Sequence, residues 1–161
     1  MKTISDKAID RAWKHINDVT PEDGQLLLQE MTREQPYIVG YLLCAEETLM
    51  AEEERGDLIM MGLVVWKALS DGHPPLRLVT ETDLEAADAV NMKFFEQLEA
   101  GSEMDYLDGV QSMLSTYNQM PLLASVLETL MAGSEDEPEL APENIGQTLL
   151  HMKTVVDCLD Q

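Results

Sequence analysis

The sequence predicts an all-α protein with about eight helices. Residues that favour helices, chiefly Leu, Met, Ala and Glu, dominate the composition, whereas aromatic residues make up only 5% of the chain. Apolar residues recur at helical spacing between prolines and capping residues, a pattern typical of successive amphipathic helices. At 161 residues the chain has the length of one domain, able to bury about two thirds of its unfolded surface. We therefore expect a single all-helical domain over residues 1–161.

The first two helices are marked by an apolar stripe and by a cap. A first helix is predicted from about Ser5 to Asn17. Its apolar stripe has helical spacing: Ile4, Ala8, Ile9, Ala12, Trp13 and Ile16. Thr20 and Pro21 have the residue types of an N-cap and a first-turn proline, so a second helix follows, to about Arg33.

The fourth predicted helix is the candidate centre of the core. Before it, Pro36 starts a third helix with its own apolar stripe: Tyr37, Ile38, Tyr41, Leu42, Ala45 and Leu49. The fourth helix runs from about Asp57 to Leu69 and holds no charged residue between Asp57 and Lys67. Its whole circumference should therefore be buried, with Trp66 largely shielded from solvent.

A strong stop separates the two halves of the chain. The segment from Ser70 to Pro75 contains a glycine and a proline pair, which cannot continue a helix. Thr80 or Thr82 then caps a fifth helix. Its predicted core face is Leu84, Ala87, Val90, Phe94, Phe95 and Leu98.

Three more helices follow in the second half. Ser102 caps a sixth helix that runs from Glu103 to about Asn118. Pro121 opens a seventh helix. The acidic, proline-containing stretch 133–139 has the composition of a solvated loop. The last helix is predicted from Pro142 to about Leu159.

Caps, proline starts and core positions recur in the same order when the second half is laid on the first at offsets of 82 to 86. Trp13 and Ile16 then fall on Phe95 and Leu98. A five-residue segment at 47–51 also recurs letter for letter at 128–132, although its offset of 81 requires a third helix one turn longer than the seventh. Chance similarity of two helical stretches is the alternative explanation. We favour an internal duplication into four-helix halves, arranged as a compact bundle or as a short array of helical hairpins. The halves span about 4–69 and 82–157.

The charge excludes several classes of partner. The chain has 31 acidic and 10 basic residues, a net charge of -21. Such a surface repels phosphate, so neither nucleic acid nor an anionic membrane surface is expected as a partner. The longest uncharged apolar run, from Leu58 to Trp66, is far shorter than the roughly 20 residues of a membrane-spanning helix. The first residues are too charged for a secretion signal, and we expect a cytoplasmic protein.

None of the three histidines lies in a recognisable catalytic motif. His73 is in a predicted turn, while His15 and His151 are on predicted helices. The chain also lacks a Gly-rich phosphate loop, a Gly-x-Ser-x-Gly elbow and a Cys-x-x-Cys pair. We therefore predict no catalytic and no cofactor-binding residue.

Carboxylates are concentrated but are not spaced as metal ligands. The Glu-x-x-His motif of paired metal sites in helical bundles and the Asp-x-Asp-x-Asp-Gly calcium loop do not occur. We expect the cluster from Glu46 to Glu54 to be a solvated surface, with a weak calcium site at 135–139 as an alternative role for that loop. Cys44 and Cys158 have apolar neighbours, so both are expected to be small apolar residues without a disulfide. No metal and no cofactor are predicted.

Methionines and an uneven charge distribution favour binding to a protein. Eleven methionines are many for this length, although most, including Met60, Met61, Met113 and Met131, are expected in the core. Residues 81–161 hold 2 basic and 17 acidic side chains. The first helix carries a basic stripe, for which pairing with nearby aspartates is the alternative explanation: Lys7, Arg11 and Lys14.

We therefore predict an acidic protein–protein interaction module, such as an adaptor, a dedicated chaperone or a regulatory subunit. The expected partner is a protein. One candidate partner is a second copy of this chain, which would form an antiparallel homodimer. The alternative is a small helical enzyme or metal-dependent protein whose site is assembled from separate helices. A deep pocket lined by His15, His73 or His151 together with two or more carboxylates would favour that alternative.

Overall fold

The computed structural model describes residues 1–49, 56–72, 75–132 and 142–161, which form eight α-helices and no strand. In chain order they are α1 (Asp6–Asp18), α2 (Pro21–Glu34), α3 (Pro36–Leu49), α4 (Asp57–Gly72), α5 (Glu81–Glu99), α6 (Glu103–Thr116), α7 (Met120–Met131) and α8 (Pro142–Leu159). The predicted all-α class is confirmed. The helices pack as a compact bundle, in which α4 contacts α1, α2, α3 and α8.

Side-chain caps begin three of the helices where the sequence predicts them. Thr20 Oγ1 accepts a hydrogen bond from the backbone N–H of Asp23 at 3.2 Å, and Thr80 and Ser102 form capping boxes with Asp83 and Asp105. Thr80, not Thr82, is therefore the cap of α5. Hydrogen bonds from Thr80, supported by Arg77, lower the pKa of Asp83 to about 2. The carboxylate of each box is thus held in its charged form, which the helix dipole also favours.

The fourth helix is the centre of the core, as predicted. Leu58, Val64 and Leu69 are fully buried, and only 2% of the surface of Trp66 is exposed. Helix α8 lies beside α4 and also contacts α3, α5 and α7. Helices α3, α4 and α8 each contact four other helices, so these three hold the bundle together.

The predicted core face of α5 is wrong at Val90, which is 69% exposed. The residues that α5 buries are Leu84, Asn91 and Phe95, with Ala87 half-buried between them. This stripe has the 3.6-residue period of a helix, and Val90 lies off it. Of the methionines predicted in the core, Met61 is buried and Met60 and Met113 pack against the core, whereas the prediction for Met131 is wrong, since it is 66% exposed. Met92, Met104 and Met120 are exposed as well.

Two predictions about individual polar residues are corrected. Glu46 is not on a solvated surface: it is buried, and its Oε1 accepts hydrogen bonds from the backbone N–H groups of Gly56 at 2.9 Å and Ile59 at 3.0 Å. It therefore caps the N-terminus of α4 from a distance in sequence. Cys44 is exposed, whereas Cys158 is buried, and both thiols are free. Burial raises the pKa of the Cys158 thiol to about 11.

Two buried glutamines link helix starts to backbone segments that are distant in sequence. Gln35, just before α3, accepts a hydrogen bond from the backbone N–H of Val79 at 2.9 Å and donates to the carbonyl two residues earlier. Gln119, just before α7, makes the same two contacts with the backbone at Ile4, at 3.0 Å, and two residues earlier. Ile4 and Val79, each just before a helix, thus make the same kind of contact, and the starts of α1 and α5 lie 75 positions apart. The internal duplication itself stays a prediction.

Candidate functional site

One of the three histidines of the chain lies in a cluster of polar side chains from three helices. His151 on α8 meets Tyr41 on α3 and Asp88 on α5. The Tyr41 hydroxyl donates a hydrogen bond to Asp88, and His151 Nδ1 lies 2.6 Å from the same hydroxyl oxygen. Since the one proton of Tyr41 is directed at Asp88, Nδ1 carries a hydrogen and donates to Tyr41. The chain of hydrogen bonds leaves the lone pair on His151 Nε2.

Burial keeps the side chains of Tyr41 and His151 uncharged. Burial lowers the pKa of His151, although the charge of Asp88 opposes the effect. Burial and the hydrogen bond to Asp88 raise the pKa of Tyr41. At neutral pH, His151 is thus a neutral imidazole that presents Nε2 as an acceptor. Of the other two histidines, His15 is exposed on α1 and His73 lies outside the described residues.

The contact between α5 and α8 continues as a polar seam, which we define as Asp88, Asn91, His151, Lys153, Thr154 and Asp157. Asn91 donates to Thr154 Oγ1 at 3.1 Å and to Asp157 Oδ2 at 2.9 Å. Lys153 Nζ donates to Asn91 Oδ1 at 2.9 Å and to Asp157 Oδ2 at 2.7 Å. Tyr117 donates to the other oxygen of Asp157 at 2.6 Å. Each of Asn91, Lys153, Thr154 and Asp157 therefore has a partner within this network.

A cavity of about 270 Å³, the His151 cavity, opens between α5 and α8 at one end of the seam. It is lined by Met92, Phe95, Glu96, Glu99, Gly146, Gln147, Leu150 and His151. One histidine and two carboxylates thus share one concave site. A histidine and two or more carboxylates in one pocket favour the alternative of a small enzyme or metal-dependent protein over an interaction module.

A groove of about 380 Å³, the α3/α5 groove, lies on the other side of the Tyr41–Asp88 pair. Its lining comes from one face of each helix: Pro36, Tyr37, Gly40, Tyr41, Cys44, Glu81, Leu84, Glu85 and Asp88. Among these residues every ionisable side chain that is charged at neutral pH is a carboxylate, and all of the carboxylates lie on α5. The groove therefore has one apolar wall and one acidic wall.

The α3 wall is unusual for a protein of such high charge. Helix α3 has no charged residue before Glu46, yet Tyr37 and Leu43 are 46% and 48% exposed. Gly40 lies in the middle of this wall, and a Cβ built on it would meet no atom within 4 Å. By contrast, Gly62 and Gly109 are crossed closely by leucines of neighbouring helices.

The basic stripe of α1 is exposed and is not neutralised locally. The alternative of pairing with nearby aspartates is wrong, because no ion pair links the stripe to a carboxylate in the described part of the chain. In the same described ranges, no group of three or more histidine, cysteine or acidic side chains is placed to hold a metal ion. The described helices include none that is long and apolar enough to cross a membrane.

No protein-family model, curated protein or solved structure matches the chain. The groove and the cavity are therefore the features that indicate a function. The sequence analysis missed Asp88, Asn91 and Gly40 as site residues. For Asn91 a signal existed, since it follows Leu84 at i+7 and Ala87 at i+4, so a polar residue interrupts an apolar stripe. For Asp88 and Gly40 no comparable signal exists, because the groove forms only when α3 meets α5.

Proposed function

We propose that the protein is a protein-binding module, and that its α3/α5 groove binds an amphipathic helix of a partner protein with Lys or Arg beside its apolar side chains. A groove between two helices is a common place for such a helix. The apolar wall on α3 supports burial of the partner's apolar side chains. The acidic wall on α5 supports contact with its basic ones.

The observation that carries this proposal is the empty space at Gly40. A glycine inside a helix costs up to about 1 kcal/mol of stability relative to alanine. At Gly62 and Gly109 the cost is offset, because a side chain from another helix packs against the missing Cβ. Gly40 has no such neighbour within 4 Å. A partner that approaches the backbone of α3 closely would explain the glycine.

The charge of the groove selects the partner. Glu81, Glu85 and Asp88 line it, and the hydroxyl of Tyr41 already donates to Asp88. An acidic partner would place like charges together, whereas a basic one would be steered to the groove by the whole net charge of -21. Apolar contact then supplies affinity that salt does not screen.

The test uses a fluorescent model peptide: an amphipathic helix of leucines at i, i+3, i+4 and i+7 with lysines elsewhere, and a copy with glutamates for the lysines. Gly40→Leu places a side chain in the groove and should weaken binding of the lysine peptide by at least about tenfold. Gly40→Ala should raise the free energy of unfolding by up to about 1 kcal/mol and also weaken binding. Fluorescence anisotropy measures binding, and thermal unfolding measures stability.

A matched control separates the groove from attraction to any acidic surface. Glu81→Gln with Glu85→Gln should weaken binding, whereas Glu30→Gln with Glu34→Gln, an exposed pair on α2 of the same charge, should not. Equal binding by the wild type and by Gly40→Leu would overturn the proposal. So would equal binding of the lysine and glutamate peptides.

A second copy of the chain is one occupant that the experiment can detect. The exposed basic stripe on α1, which has no carboxylate partner in the described ranges, supports an antiparallel homodimer. Light scattering at low and high salt tests it on the wild type, on Gly40→Leu and on a triple glutamate variant of Lys7, Arg11 and Lys14. A dimer lost in both variants identifies the second copy as the occupant. A monomer throughout leaves a different protein as the partner.

The alternative of a small enzyme is favoured by the His151 cavity. His151 Nε2 is a neutral base whose orientation is set by Tyr41 and Asp88. Together with Glu96 and Glu99 it supports proton transfer to or from a bound molecule. Such an activity requires first that the cavity binds a ligand.

A further inference from the structure

We infer that the His151 cavity binds a small organic cation with an apolar body, of the class of arylalkyl primary amines. The site is separate from the α3/α5 groove, so the inference does not rest on the proposed protein partner. Three observations carry it: the shape and apolar lining of the cavity, the hydrogen-bonding character of its polar groups, and the way in which His151 is held.

The apolar part of the cavity suits a small hydrocarbon or aromatic body. Phe95 and Leu150 are buried and fixed in the core, and Met92 lies at the more exposed side. A volume of about 270 Å³ lies just below the range usual for drug-sized ligands, which begins near 300 Å³, so the cavity suits a small molecule. The flexible thioether of Met92 can adapt to the ligand that enters.

The polar part of the cavity consists mainly of hydrogen-bond acceptors. Glu96 and Glu99 offer carboxylate oxygens, and His151 offers the lone pair of Nε2. Gln147 is the one lining side chain that can also donate. A primary ammonium group has three donors and a positive charge, so it complements this set. An anion would instead meet two carboxylates and no cationic side chain in the lining.

The hydrogen bonds behind His151 show that its free nitrogen is oriented by the fold. Nδ1 is held at 2.6 Å from Tyr41, whose proton is held by Asp88. His151 lines the cavity, and its Nε2 has no hydrogen-bond partner among the described residues. Nε2 is not among the buried unpaired atoms of those residues, so it is accessible to a molecule in the cavity. His151 thus presents one oriented acceptor at a concave site.

The test uses 2-phenylethylamine as the probe, with its neutral N-acetyl derivative and 3-phenylpropionate as matched controls. Calorimetry and amide shifts in NMR spectra should show saturable binding of the amine, with shifts concentrated in α5 and the first half of α8. Neither control compound should bind measurably. Glu96→Gln with Glu99→Gln should weaken binding by about tenfold or more, the change expected for one lost charged hydrogen bond.

Two further variants separate the cavity from the acidic surface. Gln147→Trp fills the cavity from an exposed position and should abolish binding while leaving the melting temperature nearly unchanged. Glu30→Gln with Glu34→Gln removes the same charge from α2 and should leave binding unchanged. Gly40→Leu, which blocks the α3/α5 groove, should also leave it unchanged, so that this inference and the proposed protein-binding function fail independently. Equal binding of the amine to Gln147→Trp and to the wild type would overturn the inference, as would equal binding of the neutral derivative.

Discussion

The two most extensive helix contacts of the protein, α1 with α4 and α5 with α8, are built from different chemistry. Helix α1 buries Ile9, Ala12 and Ile16. At the same distance from its start, 75 positions later, α5 has Leu84, Ala87 and Asn91. The third position is thus an isoleucine in one contact and an amide in the other, although both are buried. The first contact is held by apolar packing, whereas the second is held by a hydrogen-bonded network.

The same difference appears where the first helix of each half meets a helix of the other half. In the contact of α1 with α7, Trp13 Nε1 donates to Ser125 Oγ at 3.2 Å, and that hydroxyl donates to the carbonyl of Leu122 on its own helix. In the contact of α3 with α5, Tyr41 and Asp88 continue to His151. Polar networks cost desolvation that apolar packing does not, so the network buried between α5 and α8 is a candidate for a functional role.

The largest effects are expected on the apolar side, in α4. Trp66→Ala should lower the free energy of unfolding by about 3 to 5 kcal/mol, because it leaves a large cavity. Val64→Asp should lower it further, since the new charge is buried without a partner. Thermal unfolding measures both. A shift of the melting temperature by less than about 2 °C in either variant would contradict the central position of α4.

In the polar contact of α5 with α8, Asn91→Ala should lower the free energy of unfolding by about 1 to 3 kcal/mol. The loss comes from unpaired groups, since Lys153 loses one acceptor and Thr154 and Asp157 each lose a donor. Urea unfolding of Asn91→Ala, Asp157→Ala and the double variant should show strong coupling between the two sites. Gln97→Ala, an exposed change on the same helix, is the control and should cost under about 0.5 kcal/mol. Additive losses at Asn91 and Asp157 would mean that the seam does not act as a network.

The sequence predicts the fold well because the features that decide it are local. Periodicity, prolines and caps are read within one helix, and the start of α8 at Pro142 and its end at Leu159 are both correct. The uncharged stretch of α4 likewise predicts the core correctly. The face of α5 is harder to predict, because apolar residues such as Val90 occur on more than one side of that helix.

The candidate site could not be predicted in this way, because its members are distant in sequence. Tyr41 lies 47 positions before Asp88 and 110 before His151, and no spacing rule links residues on three separate helices. Tyr41 belongs to the predicted apolar stripe of α3, where its hydroxyl gives no signal of a partner. The groove and the cavity depend on how far apart the helices pack, which a single sequence does not specify.

The pH dependence of stability provides a test of the His151 end of the seam. Burial lowers the pKa of His151 below its ordinary value of 6.5, so as the pH falls below that value the unfolded chain takes up a proton before the folded one does. Its contribution to stability is complete above about pH 6.5 and is lost at lower pH. Denaturant unfolding at about pH 7.5 and pH 5.5 should therefore show a smaller loss on acidification in His151→Gln than in the wild type. His15→Gln changes an exposed site and should lose as much stability on acidification as the wild type. Identical losses in all three proteins would mean that His151 is in contact with water.

The smallest effect is expected at one of two similar lysine–aspartate ion pairs, one on α4 and one on α8. Lys67 and Asp71 on α4 are 3.0 Å apart, and Lys153 and Asp157 on α8, with the same i, i+4 spacing, are 2.7 Å apart. The aspartate of the first pair is 51% exposed, whereas the second pair is more buried and also holds Asn91. Lys67→Met should change the free energy of unfolding by no more than about 0.5 kcal/mol, because water replaces an exposed partner at little cost.

Lys153→Met should cost about 1 to 3 kcal/mol, because it leaves Asn91 Oδ1 without its donor and removes the ammonium group that lies 4.9 Å from the centre of the Tyr117 ring. Urea unfolding of the two variants at low and high salt gives the comparison. Salt should reduce the small effect at Lys67 and leave the effect at Lys153 nearly unchanged, since a partly buried pair is screened less than an exposed one. Equal losses in the two variants would mean that the ion pair of the seam is a surface pair like its counterpart on α4, and that the stability of the α5–α8 contact comes from apolar packing alone.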